Sequence, residues 1–312
     1  MSKLKAPLLS FSASGTLGRA LTFQETPAGA RVISTPDHVD THTPRQITQR
    51  LVFLEAIAHW ASLSDAAQAV YRAEASRYHI TGYNLCLRRF LKGQIQGACR
   101  LLLPMLEGNG ALCSDYSGYG NDGTIFGATW GVQPSGLTLL SFDGLDDYVG
   151  CGTHSSLSVA TAITLELVIS WRSLRRGHIF AKYNFAGGNQ RSYILVWIPG
   201  TLRFSLSLNG IGHTDLDYVF TPTLNRAYHI VASWDGTDML IAINGVPVAT
   251  RPFAGPIFSS TSILAIGGSQ NYNQWLDGYC LVARLLNYAL APHHISLRYA
   301  AIKRLFPSLS LP

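Results

Sequence analysis

Charged residues are scarce in this chain. Asp, Glu, Lys and Arg make up 13% of its 312 residues, about half the usual share, whereas 47% of the residues are apolar. This composition excludes an intrinsically disordered chain, because disorder requires low hydrophobic content and high charge. We expect a folded protein with a large core, whose excess apolar surface packs against other subunits in a homo-oligomer.

Long apolar runs are also missing. No stretch approaches the roughly 20 consecutive apolar residues of a membrane-spanning helix, so we expect no membrane insertion. The first residues include Lys3 and Lys5, but no continuous apolar segment follows them. We therefore expect no cleaved secretory signal, and synthesis in a cytoplasm.

The cysteines form no regular framework. They are an odd number, lie far apart and include no Cys-x-x-Cys motif: Cys86, Cys99, Cys113, Cys151 and Cys280. Because disulfide frameworks use even numbers of cysteines at closer spacing, we expect reduced thiols. Cys151 and Cys280 lie at or in predicted strands, where they would serve as small buried apolar side chains.

The net charge of +6 is concentrated near the start of the chain. Residues 1–99 carry 11 Lys and Arg against 6 Asp and Glu, and residues 100–312 carry 13 against 12. Within residues 1–99 the cations are spread singly, except for Arg88, Arg89 and Lys92. That pattern is typical of a solvated helix face rather than a phosphate-binding stripe, so we expect no nucleic-acid partner.

The texture of the sequence predicts four parts. Residues 1–42 alternate short apolar runs with Gly and Ser, which favours an extended arm or β-ribbon, and residues 43–97 show the helical period of a small anchoring domain. Residues 98–300 change to a period of two, which predicts strands. Residues 301–312 form an apolar, proline-broken tail that we expect to dock.

Three helices are predicted between residues 43 and 97. Thr43 is a favourable N-cap and Pro44 suits the first helical position. Ser64 followed by Asp65 starts a second helix, and Thr81 precedes a third. A further short helix is predicted from Pro292 to Arg304.

Ten strands are predicted in the β region, each bounded by turn-forming residues. They are Leu137–Phe142, Tyr148–Gly150, Thr164–Ser170, Ile179–Lys182, Tyr193–Ile198, Leu202–Leu208, His229–Trp234, Met239–Ile243, Ser262–Ile266 and Tyr279–Leu286. Crossover helices between them are missing, which favours antiparallel pairing. The predicted fold is mainly β: an antiparallel two-sheet jelly-roll sandwich with a small N-terminal three-helix domain preceded by the arm.

Five motifs in the β region carry a family resemblance. They lie, in order, at residues 115–124, 140–149, 227–232, 241–249 and 264–268. In their order and spacing they resemble the laminin-G-like, concanavalin A-like jelly-roll family. The resemblance implies a fold rather than a function, because that family includes lectins, enzyme accessory modules, adhesins and virion proteins.

The N-terminal part carries a second resemblance. The motifs Ser12–Gly18, Thr43–Gln46, Trp60–Ala67 with Tyr71, and Gly82–Leu85 resemble a short domain of many tailed-phage and prophage proteins. It covers about residues 5–93 and implies a virion component rather than a cellular lectin.

Candidate catalytic residues do not form a recognisable set. Gly118–Gly123 fits the G-x-G-x-x-G pattern, but it follows no predicted buried strand and opens no helix, so we interpret it as a loop. Asp215 and Asp217 alternate as the acids of related glycosidases do, but they lie in a segment more typical of a loop. Glu166 stands alone on its strand. We therefore assign no catalytic residue and expect no enzyme.

Aspartates near the turns of the sandwich are weak calcium candidates. Asp115, Asp122 and Asp143 lie in this cluster, with Asp146 and Asp147 beside them. Some members of the resembling family bind calcium through such loops. The last strand of that family, however, commonly carries two acids. The corresponding segment here, Cys280–Leu285, contains no acid. The alternative is that these aspartates stabilise turns, and we expect no other cofactor.

Two sets of residues are candidates for contact with partners. Tyr272 and Trp275 form an aromatic loop suited to a glycan or to another protein. Assembly contacts are expected from the arm, a basic helix and the tail, at Phe11, Phe23, Arg88, Arg89, Leu305 and Phe306. The alternative is that both ends fold back on their own domains.

Together these features predict a non-enzymatic structural protein of a bacteriophage virion, made in the host cytoplasm. A head decoration or other capsid-associated protein is preferred, because the chain lacks the repetitive shaft of a fibre. Its partners would be other virion proteins. The alternative is a carbohydrate-binding adhesin or a tail or fibre receptor-binding protein that binds a surface glycan.

Overall fold

The computed structural model describes residues 15–17, 21–26, 29–34, 43–133, 136–184, 188–268 and 273–306, with the backbone alone in the first three ranges. The chain divides into two compact units, residues 1–41 and 42–312. The first unit contains an antiparallel sheet in the order β1 (Gly15–Leu17), β2 (Leu21–Thr26) and β3 (Gly29–Ser34). This sheet is the β-ribbon that the sequence predicts.

Four α-helices lie in the second unit: α1 (Pro44–Ser62), α2 (Asp65–Ala75), α3 (Gly82–Leu91) and α4 (Pro292–Leu305). The backbone N–H of Gln46 donates to the Thr43 hydroxyl at 3.4 Å, and the Thr43 N–H donates to the Gln46 side chain at 3.1 Å. This capping box satisfies two N–H groups at the start of α1. Ser64 and Thr81 cap α2 and α3, so the predicted helix starts are confirmed.

Sixteen strands are described in the second unit. They are β4 (Cys99–Leu103), β5 (Leu112–Cys113), β6 (Gly123–Phe126), β7 (Thr129–Val132), β8 (Thr138–Asp143), β9 (Tyr148–Gly150), β10 (Ile163–Trp171), β11 (Gly177–Asn184), β12 (Gln190–Ile198), β13 (Thr201–Leu206), β14 (Thr214–Val219), β15 (Ala227–Trp234), β16 (Asp238–Ile243), β17 (Val246–Pro252), β18 (Ala265–Ile266) and β19 (Asp277–Leu286). Two short 3-10 helices, Ser76–Tyr78 and Ser155–Leu157, complete the elements.

The strands form two antiparallel sheets. The first sheet has the order β17-β16-β15-β10-β19-β8-β7, and β4 also pairs with β19. The second sheet has the order β14-β13-β12-β11-β18-β9-β6-β5. This confirms the predicted two-sheet sandwich, and each of the ten predicted strands overlaps an observed one.

The space between the sheets is filled by alternate residues of facing strands. Trp171, Trp197 and Trp234 are fully buried there, as the interpretation of Trp171 and Trp234 as core residues requires. All five cysteines are buried and unpaired. Burial raises the pKa of the Cys280 thiol to about 12, so Cys280 remains a neutral, small core side chain.

A second core covers the outer face of the first sheet. On β10, Leu165 and Leu167 enter the space between the sheets, whereas Val168 points to the opposite side. There Val168 joins Leu51 of α1 and Ile302 of α4. All nine residues of β10 are therefore buried, and this strand shows no alternation of exposure.

The second core joins the helical part to the sandwich. Ile47 and Leu51 of α1 share it with Leu102 of β4 and Leu286 of β19. The predicted boundary at residue 97 therefore does not separate compact units, because the apolar face of α1 is covered by the sheet. Within the described ranges, no helix is both long and apolar enough to cross a membrane.

The tail residues Leu305 and Phe306 were expected to contact another subunit. Leu305 is the last residue of α4, and both side chains are buried in the second core, at 5% and 1% exposure. Their apolar surface is thus covered by their own chain, which is the alternative left open from the sequence. Residues 307–312 lie outside the described residues.

Buried charges cross the second core. Arg284 lies directly opposite Glu166 on the neighbouring strand, with its Nη1 2.9 Å from Glu166 Oε2. Arg298 of α4 donates to Glu166 at 2.9 Å and to Glu55 of α1 at 2.8 Å. Nε2 of the buried His229 lies 2.9 Å from the other Glu166 oxygen. Two helices and three strands are thereby tied together.

The network balances its own charge. Glu55 and Glu166 provide two negative charges, and Arg284 and Arg298 provide two positive ones. Burial alone would raise the pKa of Glu166, but the neighbouring charges of Arg284 and Arg298 and the His229 hydrogen bond lower it well below its ordinary value. Glu166 is therefore ionised. Glu55, Glu166 and Arg284 are shielded from water and depend on their opposite charges, whereas the Arg298 side chain is 12% exposed.

We predict that Glu166→Ala lowers the free energy of unfolding by about 3–5 kcal/mol, because it leaves two guanidinium groups with Glu55 as their one remaining counter-charge in the network. Chemical denaturation measures this loss. The matched control is Glu74→Ala, which breaks a pair between Arg89 Nη1 and Glu74 Oε2 at 2.9 Å. Both side chains of that pair are about one-third exposed, so its loss should cost about 1 kcal/mol or less. Equal losses in the two variants would contradict the role given to the buried network.

Candidate functional site

The acids expected to lie in a loop, Asp215 and Asp217, lie on β14 at the edge of the second sheet, so that expectation was wrong. The segment alternates inward Leu216 with outward acids, and the acids lower its strand propensity. Both carboxylates bind Arg203 on the neighbouring strand. The guanidinium contacts both Asp217 oxygens at 2.7 Å and Asp215 Oδ2 at 3.0 Å. The two acids therefore form an ion-paired cluster with Arg203, and neither carboxylate is free of a partner as a catalytic acid or base would be.

The calcium candidates fall into two groups. Asp115 accepts hydrogen bonds from the backbone N–H groups of Leu102, Ser117 and Asn121 at 2.9 to 3.0 Å, and from the Ser117 hydroxyl at 2.7 Å. Asp122 accepts one from the Asp115 N–H at 2.7 Å. These contacts close the glycine-rich loop, so Asp115 and Asp122 stabilise a turn.

Asp143 belongs to a different group. It lies with Asp146 and Asp147, and one oxygen of each lies within 4.8 Å of the others, the single such group of three among the described residues. Burial raises the pKa of Asp147, and the nearby charges of Asp143 and Asp146 add to that rise. Three carboxylates are fewer ligands than the roughly six to eight oxygens that Ca²⁺ takes. Calcium binding stays a prediction.

Three aromatic rings form a row at one end of the sandwich. Phe126 and Tyr148 stack with ring centroids 4.5 Å apart and planes 10° from parallel, and the Trp275 ring lies 6.0 Å from Tyr148. Trp275 packs on Gly268, where a Cβ would lie 2.1 Å from the indole, so only glycine fits there. Trp275 is half-buried, and Tyr272 lies outside the described residues.

Phe126 and Tyr148 line a groove of about 380 Å³, which we call the aromatic groove. Phe126 is 43% exposed, as is Ile263 across the groove. The remaining walls are mostly polar: Tyr119, Gly120, Asn121, Asp122, Thr124, Gly150, Cys151, Gly152, Thr153 and His154. The groove thus combines one exposed ring, that of Phe126, with hydrogen-bonding groups, a composition typical of small-ligand sites.

A second groove of about 470 Å³ shares Tyr119 and His154 with the first, and we call it the polar groove. Its walls are Gln96, Arg100, Tyr119, His154, Ser155, Ser156, Ser158, Val159, Ala160, Thr161, Ala162 and Asn287. Because these two residues line both, the grooves adjoin at Tyr119 and His154, and we call the two together the depression.

Hydrogen bonds fix the wall between the two grooves. Arg100 donates to the Tyr119 hydroxyl, which donates to the Gly97 carbonyl at 3.2 Å. The Asn121 amide donates to the Arg100 carbonyl at 2.8 Å and to the Ser156 hydroxyl at 2.9 Å. The walls are therefore held in place before any ligand arrives.

A third groove, of about 320 Å³, lies on the outer face of the second sheet, and we call it the second-sheet groove. Ile194 and Val196 form its floor, because alternate residues of β12 point away from the sandwich core. Its lining is Arg176, His178, Tyr183, Arg191, Ile194, Val196, Arg203, Ser205, His213 and Gln274. The groove is rich in cations.

The residues proposed for assembly occupy different environments. Arg88 is exposed on α3, whereas Arg89 is bound to Glu74 of α2. Phe23 lies in β2, where only the backbone is described, and Phe11 lies outside the described residues. Assembly through these four residues stays a prediction.

Several lining residues were not identified from the sequence. Phe126 and Tyr148 lie on short strands that come together only through pairing of β6 with β9. A signal for Phe126 does exist: along Gly123-Thr-Ile-Phe126 the buried and outward positions alternate, which places the phenyl ring outside the core. No local signal singles out Arg176, because it lies in a loop beside a second arginine, Arg175.

The concanavalin A-like lectin/glucanases superfamily, a laminin-G family, matches residues 143–296. Residues 143–296 form a concanavalin A-like jelly-roll domain. The resemblance drawn from the five motifs is thereby confirmed, and the domain is lectin-like. The N-terminal resemblance to tailed-phage proteins stays a prediction.

Solved structures similar to the jelly-roll domain include toxin binding domains. The binding domain of Paraclostridial Mosquitocidal Protein 1 has a TM-score of 0.53 and 12% identity, over 65% of this chain and 52% of that one. The botulinum neurotoxin serotype G binding domain has a TM-score of 0.52 and 11% identity, over 66% and 51%. This chain thus spans about half the length of these structures. At such identity the likeness shows the fold alone. No curated protein matches the sequence.

His178 of the jelly-roll domain generates a pH prediction. Burial, with a contribution from Arg176, lowers its pKa from 6.5 to about 4. Between these pH values the unfolded chain binds a proton that the folded chain does not, so stability falls as the pH drops from 6.5 to 4. The loss should be about 3 kcal/mol.

The measurement is the free energy of unfolding against pH for the wild type and for His178→Gln, which keeps a polar side chain but does not titrate. The wild type should lose about 3 kcal/mol more than the variant over this interval. Parallel curves would show that His178 takes up its proton at the same pH in both states.

Proposed function

We propose that this chain is a non-catalytic, lectin-like binding protein that holds a saccharide in the depression formed by the adjoining aromatic and polar grooves. The observation that carries the proposal is the junction at Tyr119 and His154, where a stacked aromatic pair meets a fixed set of hydrogen-bonding groups. Sugars present both apolar C–H faces and hydroxyl groups, so both kinds of surface are needed.

The aromatic end supports binding of the apolar sugar face. Phe126 is exposed, and its ring is held by stacking on the buried Tyr148. Gly150 allows both rings to pack closely, since a Cβ there would lie 3.3 Å from Phe126 and 3.4 Å from Tyr148. The Trp275 ring also packs near Tyr148, with the ring centroids 6.0 Å apart, and supports it. Phe126 is the side chain that would stack on the ligand.

The polar end supports recognition of hydroxyl groups. The backbone N–H of Ser156 donates to His154 Nδ1 at 3.3 Å, which leaves Nε2 as the protonated nitrogen of the neutral ring. His154 can therefore donate from Nε2. Asp122 is exposed, also lines the aromatic groove and accepts hydrogen bonds, so a hydroxyl group finds both kinds of partner.

A non-catalytic role is supported by the environment of the acids. Asp215 and Asp217 are both bound to Arg203, and Glu166 is fully buried under two helices. Glycoside hydrolysis needs one carboxyl group as acid and a second as base or nucleophile at the substrate. None of these three is placed for such a role, and Asp122 is the one acid that lines the depression.

We further propose a setting for this binding protein: the surface of a tailed-phage virion, as a head decoration or other capsid-associated protein. The support is the N-terminal resemblance over about residues 5–93. Other virion proteins and copies of this chain would be its partners. A tail or fibre receptor-binding protein is the alternative, and the same depression would serve it.

We predict that full-length protein binds a subset of glycans on an array, and that Phe126→Ala weakens that binding by about tenfold. Trp275→Ala should weaken it less, because Trp275 supports Tyr148 rather than lining the groove. The matched control is Phe53→Ala on α1, since Phe53 is also 43% exposed but lies outside both grooves. Binding unchanged by Phe126→Ala would contradict the site, and hydrolysis of the bound glycans would contradict the non-catalytic role.

We predict that the chain is present on purified phage particles. Electron microscopy with a labelled antibody against the chain should place the label on the head in many copies. Label at the tail tip would favour the receptor-binding alternative. Particles without label would contradict the virion setting but leave the saccharide site to its own test.

A further inference from the structure

The second-sheet groove lies apart from the depression described above and shares no lining residue with it. The first sheet is covered on its outer face by α1 and α4. On the second sheet, the corresponding face carries the groove, with Ile194 and Val196 as its floor. Apolar side chains at the bottom of a polar groove favour a ligand with a small apolar face.

The charges that line this groove are positive. Among the residues that the structure describes, Arg176, Arg191 and Arg203 line it, together with two histidines, and no acid does. Asp215 and Asp217 lie beyond Arg203 on the edge strand and are both bound to it. Three guanidinium groups against two carboxylates leave a net positive charge before either histidine is counted. Charge complementarity therefore favours an anionic ligand.

The Arg203 end of the groove is rigid. Asp217 holds the Arg203 guanidinium by two hydrogen bonds of 2.7 Å, and Asp215 holds it from a second side. Asp215 in turn accepts from the Ser205 hydroxyl at 2.6 Å, and His213 lies 3.2 Å from the Tyr183 hydroxyl. Groups fixed in this way lose little freedom when a ligand binds.

The opposite end is formed by Arg176, which is exposed, and by the buried His178. Because burial lowers the pKa of His178 to about 4, this ring is neutral near pH 7 and offers hydrogen bonds rather than charge. Arg176 is thus the accessible cation at this end. The volume of about 320 Å³ lies near the lower limit of ligand pockets, which suits a single sugar residue.

We propose that the second-sheet groove is a separate site for an acidic sugar residue, with the carboxylate at Arg176 and the ring over Ile194 and Val196. This site does not depend on the saccharide depression, and the two can be occupied together. An acidic sugar is the ligand class that combines a carboxylate for the arginines with the C–H surface that the floor requires.

The test uses a pair of probes that differ only in the carboxylate, methyl glucuronide and methyl glucoside. Both are titrated into the full-length protein and followed by NMR. The glucuronide should bind about tenfold more tightly than the glucoside, because a charge-assisted hydrogen bond is lost with the carboxylate. Equal affinity, or no binding of the glucuronide, would overturn the proposal.

Arg176→Gln should weaken glucuronide binding by about tenfold. The matched control is Arg175→Gln, because Arg175 is the adjacent exposed arginine and does not line the groove. Equal weakening in the two variants would show a diffuse charge effect and overturn the site. Thermal melting of both variants checks that they fold alike.

Phe126→Ala separates this proposal from the saccharide depression. Glucuronide binding should survive that change, because Phe126 lines only the aromatic groove. If Phe126→Ala abolishes it, the glucuronide occupies the depression, and the separate site is wrong while the proposed function stands. If no glycan on the array is bound but glucuronide binding depends on Arg176, the proposed function is wrong and the separate site stands.

Discussion

The charge network beneath α1 and α4 is the constraint on which the rest of the second unit depends. Glu166 sits at the centre of the first sheet and contacts Arg284 and Arg298, and Arg298 reaches Glu55. Apolar side chains alone would let the helices slide on the sheet, because hydrophobic contact is not directional. Four charged groups with fixed partners permit a single arrangement. A buried network of this kind contributes specificity of packing more than net stability.

That arrangement determines which surfaces the sandwich offers to ligands. Helices α1 and α4 cover the outer face of the first sheet with a continuous apolar layer. The outer face of the second sheet and the edge near Tyr119 and His154 then carry the grooves. A two-sheet fold has two outer faces, so covering one with helices leaves the other available for grooves. The low charge content has the same origin, since a strand such as β10 is buried on both sides.

The sequence predicts the helices and strands of this fold better than it predicts the tertiary contacts between them. Strands with alternating apolar residues and helices with an N-cap such as Thr43 are local patterns, and they were found with small errors at their ends. Six strands of the second unit, β4–β7, β14 and β17, were not predicted. Strand β14 was missed because Asp215 and Asp217 disfavour strand structure when their pairing with Arg203 is not known. Glu166 appeared isolated because its partners lie on α1, β19 and α4. Phe126 and Tyr148 meet only after β6 and β9 pair.

The position of α4 also has a consequence for synthesis. Arg298 and Glu55 are 243 residues apart in the chain, and they bind each other directly. When the ribosome has made the first helices and most of the strands, Glu55 and Glu166 still lack one of their two cations, and the apolar layer beneath α4 is uncovered. The outer core therefore closes only after translation passes Phe306. Contacts between such distant residues form slowly. Until they form, the nascent chain exposes apolar surface that favours aggregation with other chains.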